Sequence, residues 1–237
     1  TTATDLHSRF AVDVFAKKNG CAIFHMKAAK EASAALLAGE KIGFYSEFPW
    51  EGELPEGLVL CNRAGKPLRR ECFAVSSGAD TAPPETGIAV TIHRNCLPFP
   101  NTVHVVPPSA VLGMGCRRGK EAAPVREAAE ECLKEADIYK EALWAIASID
   151  LKKEEAGILA FCEKHAIPFC TYTKEELMDL EGDFTASAFV KETTGVDCVC
   201  ERSAILAGGG AELLLKKRAA NGVTVALALK DWSVDFG

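Results

Sequence analysis

Ala110-Val111-Leu112-Gly113-Met114-Gly115-Cys116-Arg117-Arg118-Gly119 is the stretch on which the fold reading turns. Ala110–Gly113 reads as a buried strand, and the run after it breaks into glycines and arginines. A helix is expected from about Lys120 to Ala136, with Val125, Ala128, Ala129, Cys132 and Ala136 on its apolar face. Outward from there the alternation repeats. Trp144–Ile149 is a second strand. Asp150 is placed to cap the next helix, where Ile158, Phe161, Cys162 and His165 fall at i, i+3, i+4 and i+7. Pro168–Tyr172 is a third strand. Short helices follow near Ala188–Thr193 and Cys198–Leu206, closed by Gly195 and Gly208. Leu213–Lys217 and Val223–Leu229 form a closing hairpin whose turn chemistry is Asn221-Gly222. The predicted class is α/β: a mostly parallel sheet with helices on both faces and a terminal antiparallel hairpin.

Upstream, Leu97-Pro98-Phe99-Pro100 and Pro107-Pro108 mark a boundary, giving two α/β domains, 1–107 and 108–237. The first domain is expected to open with a helix capped at Thr2 or Thr4, striped by Phe10, Ala11 and Val14, and ended by Gly20. A second helix runs over Ala28–Ala38. Strands are expected at Lys41–Tyr45, Leu58–Cys61, Gly87–Ile92 and Thr102–Val106.

Of the 237 residues, 48% are hydrophobic and 25% charged, which excludes general disorder. The net charge of −6 argues against a nucleic-acid partner that binds through a broad basic field. The charges balance before Pro108, with 11 basic and 11 acidic residues; 16 basic and 22 acidic follow from Ser109 on. No membrane span is expected, because the longest charge-poor stretch is rich in proline. Ten cysteines without a Cys-x-x-Cys read as free thiols of a cytoplasmic protein. With Thr1 in place of a start methionine and no signal peptide, the chain reads as a fragment or a trimmed product.

Ligands of such sheets sit beyond the carboxyl ends of the strands. Gly115, Arg117, Arg118 and Gly119 are expected there as an anion site: glycines admit a ligand to the backbone, helix N–H groups face it, and two guanidiniums grip carboxylates. The Gly-x-Gly-x-x-x-Gly spacing misses the dinucleotide fingerprint. Cys116, at an expected helix N-terminus between cations, is a candidate nucleophile or a small turn residue. Ser148, Asp150 and Lys152 fall at the next strand end, where Asp150 is a candidate base or a helix cap and Lys152 a partner for a substrate carboxylate. Ser187 opens the third segment, and Glu201 is a candidate base or a carboxylate favoured by the helix dipole. Cys198 and Cys200 lack companion ligands and read as packing residues, so no protein metal site is expected. Lys216-Lys217-Arg218 reads as a solvated strand edge.

These motifs carry a family resemblance. Val111–Gly119, Ala147-Ser148-Ile149-Asp150-Leu151-Lys152, Glu155-Ala156-Gly157, Ser187-Ala188-Phe189-Val190, Thr194-Gly195-Val196, Glu201 and Val223-Thr224-Val225-Ala226 resemble the C-terminal domain of CbiG, the anaerobic cobalamin-biosynthesis family. Thr1-Thr2-Ala3-Thr4-Asp5, Phe10-Ala11-Val12-Asp13 and Ala16–Gly20 are similar to a stretch well inside that family's N-terminal region, implying that its earlier segment is missing here. The resemblance implies a cobalt-precorrin-5A hydrolase that opens a δ-lactone and releases acetaldehyde. Its partners would be the tetrapyrrole substrate, which carries the cobalt so that no cofactor is needed, and neighbouring enzymes of the pathway. The oligomeric state is left open. CobE, similar to the second domain alone, implies the alternative of a non-catalytic corrinoid carrier. A nucleotide-binding module is a third class, which requires ATP or NAD to stabilise the fold. Arg117, Arg118 and Lys152 would then meet the substrate's acid arms, backbone N–H groups near Cys116 would hold an oxyanion, and Glu201 or Asp150 would activate water.

Overall fold

The computed structural model describes residues 10–61 and 84–237. The expected caps Thr2 and Thr4 and one cysteine, Cys72, lie outside the described residues. In the first unit, helix α1 (Val12–Lys18) is followed by strand β1 (Ala22–Phe24), helix α2 (Met26–Leu37) and strands β2 (Ile42–Ser46), β3 (Trp50–Glu51), β4 (Leu58–Leu60), β5 (Thr86–Val90) and β6 (Asn101–Val106). Five of the strands form one sheet in the order β1-β6-β5-β2-β4, parallel except for β1. Every residue of β2 is buried, as expected of a parallel strand covered on both faces.

Helix α1 corrects the expected stripe. It buries Val12, Phe15 and Ala16, while Val14 is 64% exposed. The helix starts only at Val12, and its orientation follows Phe15, whose ring stacks on Phe236 at 5.4 Å and meets Phe44 edge-on at 6.4 Å. Phe236 belongs to a C-terminal tail, Trp232–Gly237, that joins Thr1–Pro107 in the first unit; the second unit is Pro108–Asp231. The chain therefore leaves the second unit before its end, where the sequence reading keeps 108–237 together.

The second unit is built on β7 (Ala110–Cys116), followed by α3 (Ala122–Glu135), β8 (Leu143–Ile149), a 3₁₀ turn over Asp150–Lys152, α4 (Ala156–His165), β9 (Phe169–Tyr172), α5 (Lys174–Met178), α6 (Ala188–Thr194), α7 (Val199–Ala207), β10 (Glu212–Ala220) and β11 (Val223–Leu229). A short β12 (Val234–Asp235) in the tail pairs in parallel with β3. The sheet order is β10-β11-β7-β8-β9: β7, β8 and β9 are parallel, and the hairpin adds β11 antiparallel to β7. The hairpin turn holds Asn221 and Gly222 at φ 51° and 74°, the left-handed pair that a two-residue turn requires.

Three differences from the sequence reading bear on function. First, β7 continues through Cys116, and α3 starts only at Ala122. The ladder with β11, register Val223↔Cys116 and Thr224↔Gly115, extends the strand through the glycines. Second, Asp150 opens a 3₁₀ turn and does not cap α4, whose N-cap residue is Glu155. Third, α5 has no counterpart in the sequence reading. It is held by a capping box in which the Glu176 N–H donates to Thr173 Oγ1 at 3.2 Å and the Thr173 N–H donates to Glu176 Oε2 at 2.7 Å.

Candidate functional site

Because β7, β8 and β9 run parallel, Cys116, Ile149 and Tyr172 end at one edge of the second sheet. Helix α7 lies across these strands. Its close approach depends on Gly113: a Cβ there would overlap the Cys200 carbonyl oxygen and stand 2.9 Å from Ala204 Cβ. Ile149, Leu177, Val196 and Val199 form an apolar cluster, with Tyr172 and Val190 against it, that joins α5, α6 and α7 to the ends of β8 and β9.

At the β7 end, Arg117, Arg118 and Gly119 are exposed. Among the described residues no carboxylate engages either guanidinium, so both are open to an anionic ligand. Gly115 sits within the strand, where the Thr224 hydroxyl donates to its carbonyl at 3.2 Å.

Three backbone amides at this strand end, where an anion is expected, are already taken. The Lys120 N–H donates to Glu155 Oε1 at 2.8 Å, the Gly119 N–H also supports that carboxylate, and Lys152 Nζ reaches Oε2 at 3.0 Å. The Arg117 N–H donates to the Gly222 carbonyl at 3.1 Å. The protein's own Glu155 thus fills the cradle, and Lys152, its side chain 13% exposed, is paired internally. Burial raises the Glu155 carboxyl, but these donors outweigh it and hold the group below the usual carboxylate range.

Cys116 also departs from expectation. It ends a strand, six residues short of the helix, and burial pushes its thiol up. The pull of Lys152 and Lys120 does not reverse this, and Glu155 adds to the rise. A nucleophilic cysteine needs the opposite shift. Ser148 is fully buried and donates to the Met114 carbonyl at 2.6 Å, joining β8 to β7 and facing no ligand.

Glu201 lies in the first turn of α7, as expected, but it is 0% exposed. Its carboxylate accepts from the Thr185 N–H at 2.7 Å, the Thr185 hydroxyl at 2.8 Å and the Lys217 N–H at 2.7 Å. Burial raises it, yet the Lys217 and Thr185 donors hold it below the usual carboxylate range. It ties β10 and the segment before α6 to α7. Beside it Arg202, 6% exposed, holds Asp197 bidentately at 2.7 and 3.2 Å, donates to the Leu177 and Leu180 carbonyls and lies 4.0 Å over the Phe184 ring. Ser187 is the N-cap residue of α6; its backbone N–H donates to the Asp197 carbonyl at 2.9 Å, and its side chain caps nothing.

Asp150 differs from these. It is half-buried at the β8 end, and among the described residues its carboxylate has no hydrogen-bond or ion-pair partner. The edge therefore presents two exposed arginines and the unpartnered Asp150 carboxylate, while Glu155, Lys152, Ser148 and Glu201 are engaged by contacts within the protein. Among the described residues no group of three or more His, Cys, Asp or Glu is placed to hold a metal, and no helix is long and apolar enough to cross a membrane. Sequence reasoning missed a second constellation, in the first unit: His93 Nδ1 lies 2.9 Å from Glu47 Oε1. The two residues are distant in sequence, and only the adjacency of β2 and β5 joins them.

The chain is thus built of two α/β units, the second with two exposed arginines at the carboxyl edge of its parallel strands. Residues 110–228 match the family described as cobalamin synthesis G C-terminus, and residues 10–107 match the cobalamin biosynthesis central region. The chain belongs to this cobalamin synthesis G family. It is 29% identical over 97% of its length to the cobalt-precorrin-5A hydrolase of Salmonella typhimurium, covering 63% of that protein. It is 28% identical over 97% of its length to the enzyme of the same name from Priestia megaterium, covering 60%. The chain thus spans about three fifths of the length of these curated relatives. Half of the chain is 36% identical to protein CobE of a Sinorhizobium species, covering 78% of it.

Proposed function

We propose that the chain is the part of a cytoplasmic cobalt-precorrin-5A hydrolase that binds the macrocycle and opens its δ-lactone, with release of acetaldehyde. The observation that supports this reading is the pair of exposed arginines, Arg117 and Arg118, at the carboxyl edge of a parallel sheet in a chain related along nearly its whole length to proteins of that name. A polycarboxylate substrate needs such a rim on a protein whose net charge is −6.

Asp150 is the proposed general base. It activates a water that adds to the lactone carbonyl; the ring oxygen leaves as an alcohol, and the carboxylate remains on the macrocycle. Loss of the alcohol proton then breaks the carbon–carbon bond, freeing acetaldehyde and returning the electron pair to the macrocycle. The cobalt is part of the substrate, so the proposed chemistry requires no further metal.

The test is to add cobalt-precorrin-5A to the full chain and assay acetaldehyde. Release is expected, and Asp150→Asn should slow it by about 10²–10⁴-fold, the usual worth of a positioned base. A folded, substrate-bound chain that releases none counts against the reading, and full activity in Asp150→Asn excludes that residue. The likeness of the second unit alone to CobE favours a second reading, a corrinoid carrier without turnover. Binding without acetaldehyde is its signature.

A further inference from the structure

The carboxyl edge of the second sheet has two unlike flanks. Strand β11 pairs antiparallel with β7 in the register Val223↔Cys116, so the turn at Asn221-Gly222 stands beside the end of β7. The order along the edge is then the hairpin turn, Cys116, Ile149 and Tyr172. Three strand spacings separate its extremes, about 14 Å, so only a large ligand touches both. On the hairpin flank, a Cβ built on Gly222 would stand 3.4 Å from Arg117 Cδ and 3.5 Å from Lys120 Nζ. Both cations therefore come to rest against one bare turn, which its φ of 74° reserves for glycine. Their backbones are fixed, Lys120 N–H on Glu155 and Arg117 N–H on the Gly222 carbonyl. Among the described residues neither side chain has a hydrogen-bond or ion-pair partner. Two like charges held together repel, and a carboxylate between them relieves the repulsion.

The opposite flank is apolar. The second unit leaves four large hydrophobic side chains exposed: Leu151 at 66%, Phe189 at 65%, and Met178 and Leu159 at 40% each. Three of the four belong to the segments gathered at the ends of β8 and β9. Leu151 is in the 3₁₀ turn after β8, Met178 ends α5, and Phe189 is in the first turn of α6. Ile149, Leu177 and Val190, one or two residues from them, pack in the buried cluster that ties these segments to the strand ends. The cluster thus anchors the very residues that it leaves uncovered. Large apolar side chains left in water together mark a binding surface. Asp150, at the end of β8, stands between the two flanks.

We infer that this edge binds the macrocycle in one orientation, with an acid arm gripped by Arg117 and Lys120 over the hairpin turn, an apolar face against Leu151, Met178 and Phe189, and the lactone above β8 beside Asp150. The inference rests on the proposed function for its ligand class. It adds Lys120 and the apolar flank as the groups that orient the ligand: charge alone would leave the ring free to swing about its arms, and apolar contact alone would not select which arm lies where.

The probes are diaquacobyrinic acid, a cobalt corrinoid with carboxylic arms, and diaquacobinamide, whose arms are amides, each titrated into the full chain by absorbance at several salt concentrations. The acid should bind more tightly than the amide. Lys120→Gln should weaken the acid about fivefold, flatten its salt dependence and leave the amide unaffected, while Lys120→Arg restores the acid. Because one carboxylate is shared, the double variant with Arg117→Gln should lose less than the product of the two single losses. Leu151→Ser and Phe189→Ser should each weaken both ligands about fivefold with the salt dependence unchanged, and Phe189→Leu should recover most of the loss. All these side chains lie at the surface, so melting curves should stay at the wild-type position. A wild-type chain that binds neither corrinoid, wild-type affinity for the acid in Lys120→Gln, or wild-type affinity for both ligands in the two serine variants would overturn the orientation. Acetaldehyde released from cobalt-precorrin-5A by a chain whose variants bind unaltered sinks this inference and spares the proposed function; the expected losses of affinity in a chain that releases none do the reverse.

Discussion

Glu201→Gln separates a catalytic carboxylate from an anchoring one. In the wild-type chain two buried carboxylate oxygens accept three hydrogen bonds, two of them from backbone N–H groups. An amide offers one oxygen and one NH₂ in the same space. Turned one way, its NH₂ meets the Thr185 N–H; turned the other way, it meets that of Lys217. Either arrangement leaves a buried donor unpaired, at about 1–3 kcal/mol. The bonds that remain lose their charge assistance, which adds about 1 kcal/mol. The expected destabilisation is about 2–4 kcal/mol, and with a urea dependence of about 2 kcal/mol per molar the midpoint falls by roughly 1–2 M. The pH profile gives a second readout. Because the folded carboxyl is held below its unfolded value, its stabilising share is complete above the ordinary carboxylate pKa and is lost as the pH falls through the depressed one. The Gln variant should lose that part of the acid dependence. In buffer where the variant stays folded, acetaldehyde release per folded molecule should be unchanged. An unaltered urea midpoint combined with lost turnover would refute the anchoring argument and return Glu201 to the role of base.

Arg117→Ala and Arg118→Ala should each weaken tetrapyrrole binding about fivefold, roughly 1 kcal/mol, with the melting curve unchanged; unaltered affinity in both by absorbance titration would remove the arginine rim from the site. Gly113→Ala drives a methyl group into the Cys200 carbonyl and should cost about 1–3 kcal/mol in urea unfolding as α7 is pushed off the sheet. Cys116→Ser should keep normal turnover, since burial raises the thiol pKa; loss of activity in a folded variant would restore covalent catalysis.

The elements of the second unit were largely legible because local rules generate them. Val125, Ala128, Ala129 and Cys132 lie on one face of a helix at any register, and all four are buried in α3. Asn221-Gly222 dictates a hairpin turn wherever the strands lie. The capping box at Thr173 and Glu176 is equally local, yet the sequence reading placed no helix there, and α5 was found only in the structure. The site was less legible. Ser148, Lys152 and Glu201 fall near the expected sheet edge, but sequence offers no measure of what faces them. Glu155 is the instructive case: its carboxylate, not a ligand's, occupies the amides of Gly119 and Lys120, and the two segments meet only once Gly157 of α4 has packed against Lys120 and Glu121, just ahead of α3.

Composition, periodicity and turn chemistry by themselves determined the α/β class, the break near Pro107-Pro108 and the placement of two arginines at the end of a central strand, and the resemblance of ordered motifs pointed to the family. Tertiary structure alone decided which polar groups were spent holding the fold and which remained available. Satisfaction of a buried charge depends on donors brought from distant segments, as Thr185 and Lys217 are brought to Glu201. The meeting of Glu47 with His93 depends likewise on strand order, which local sequence does not encode.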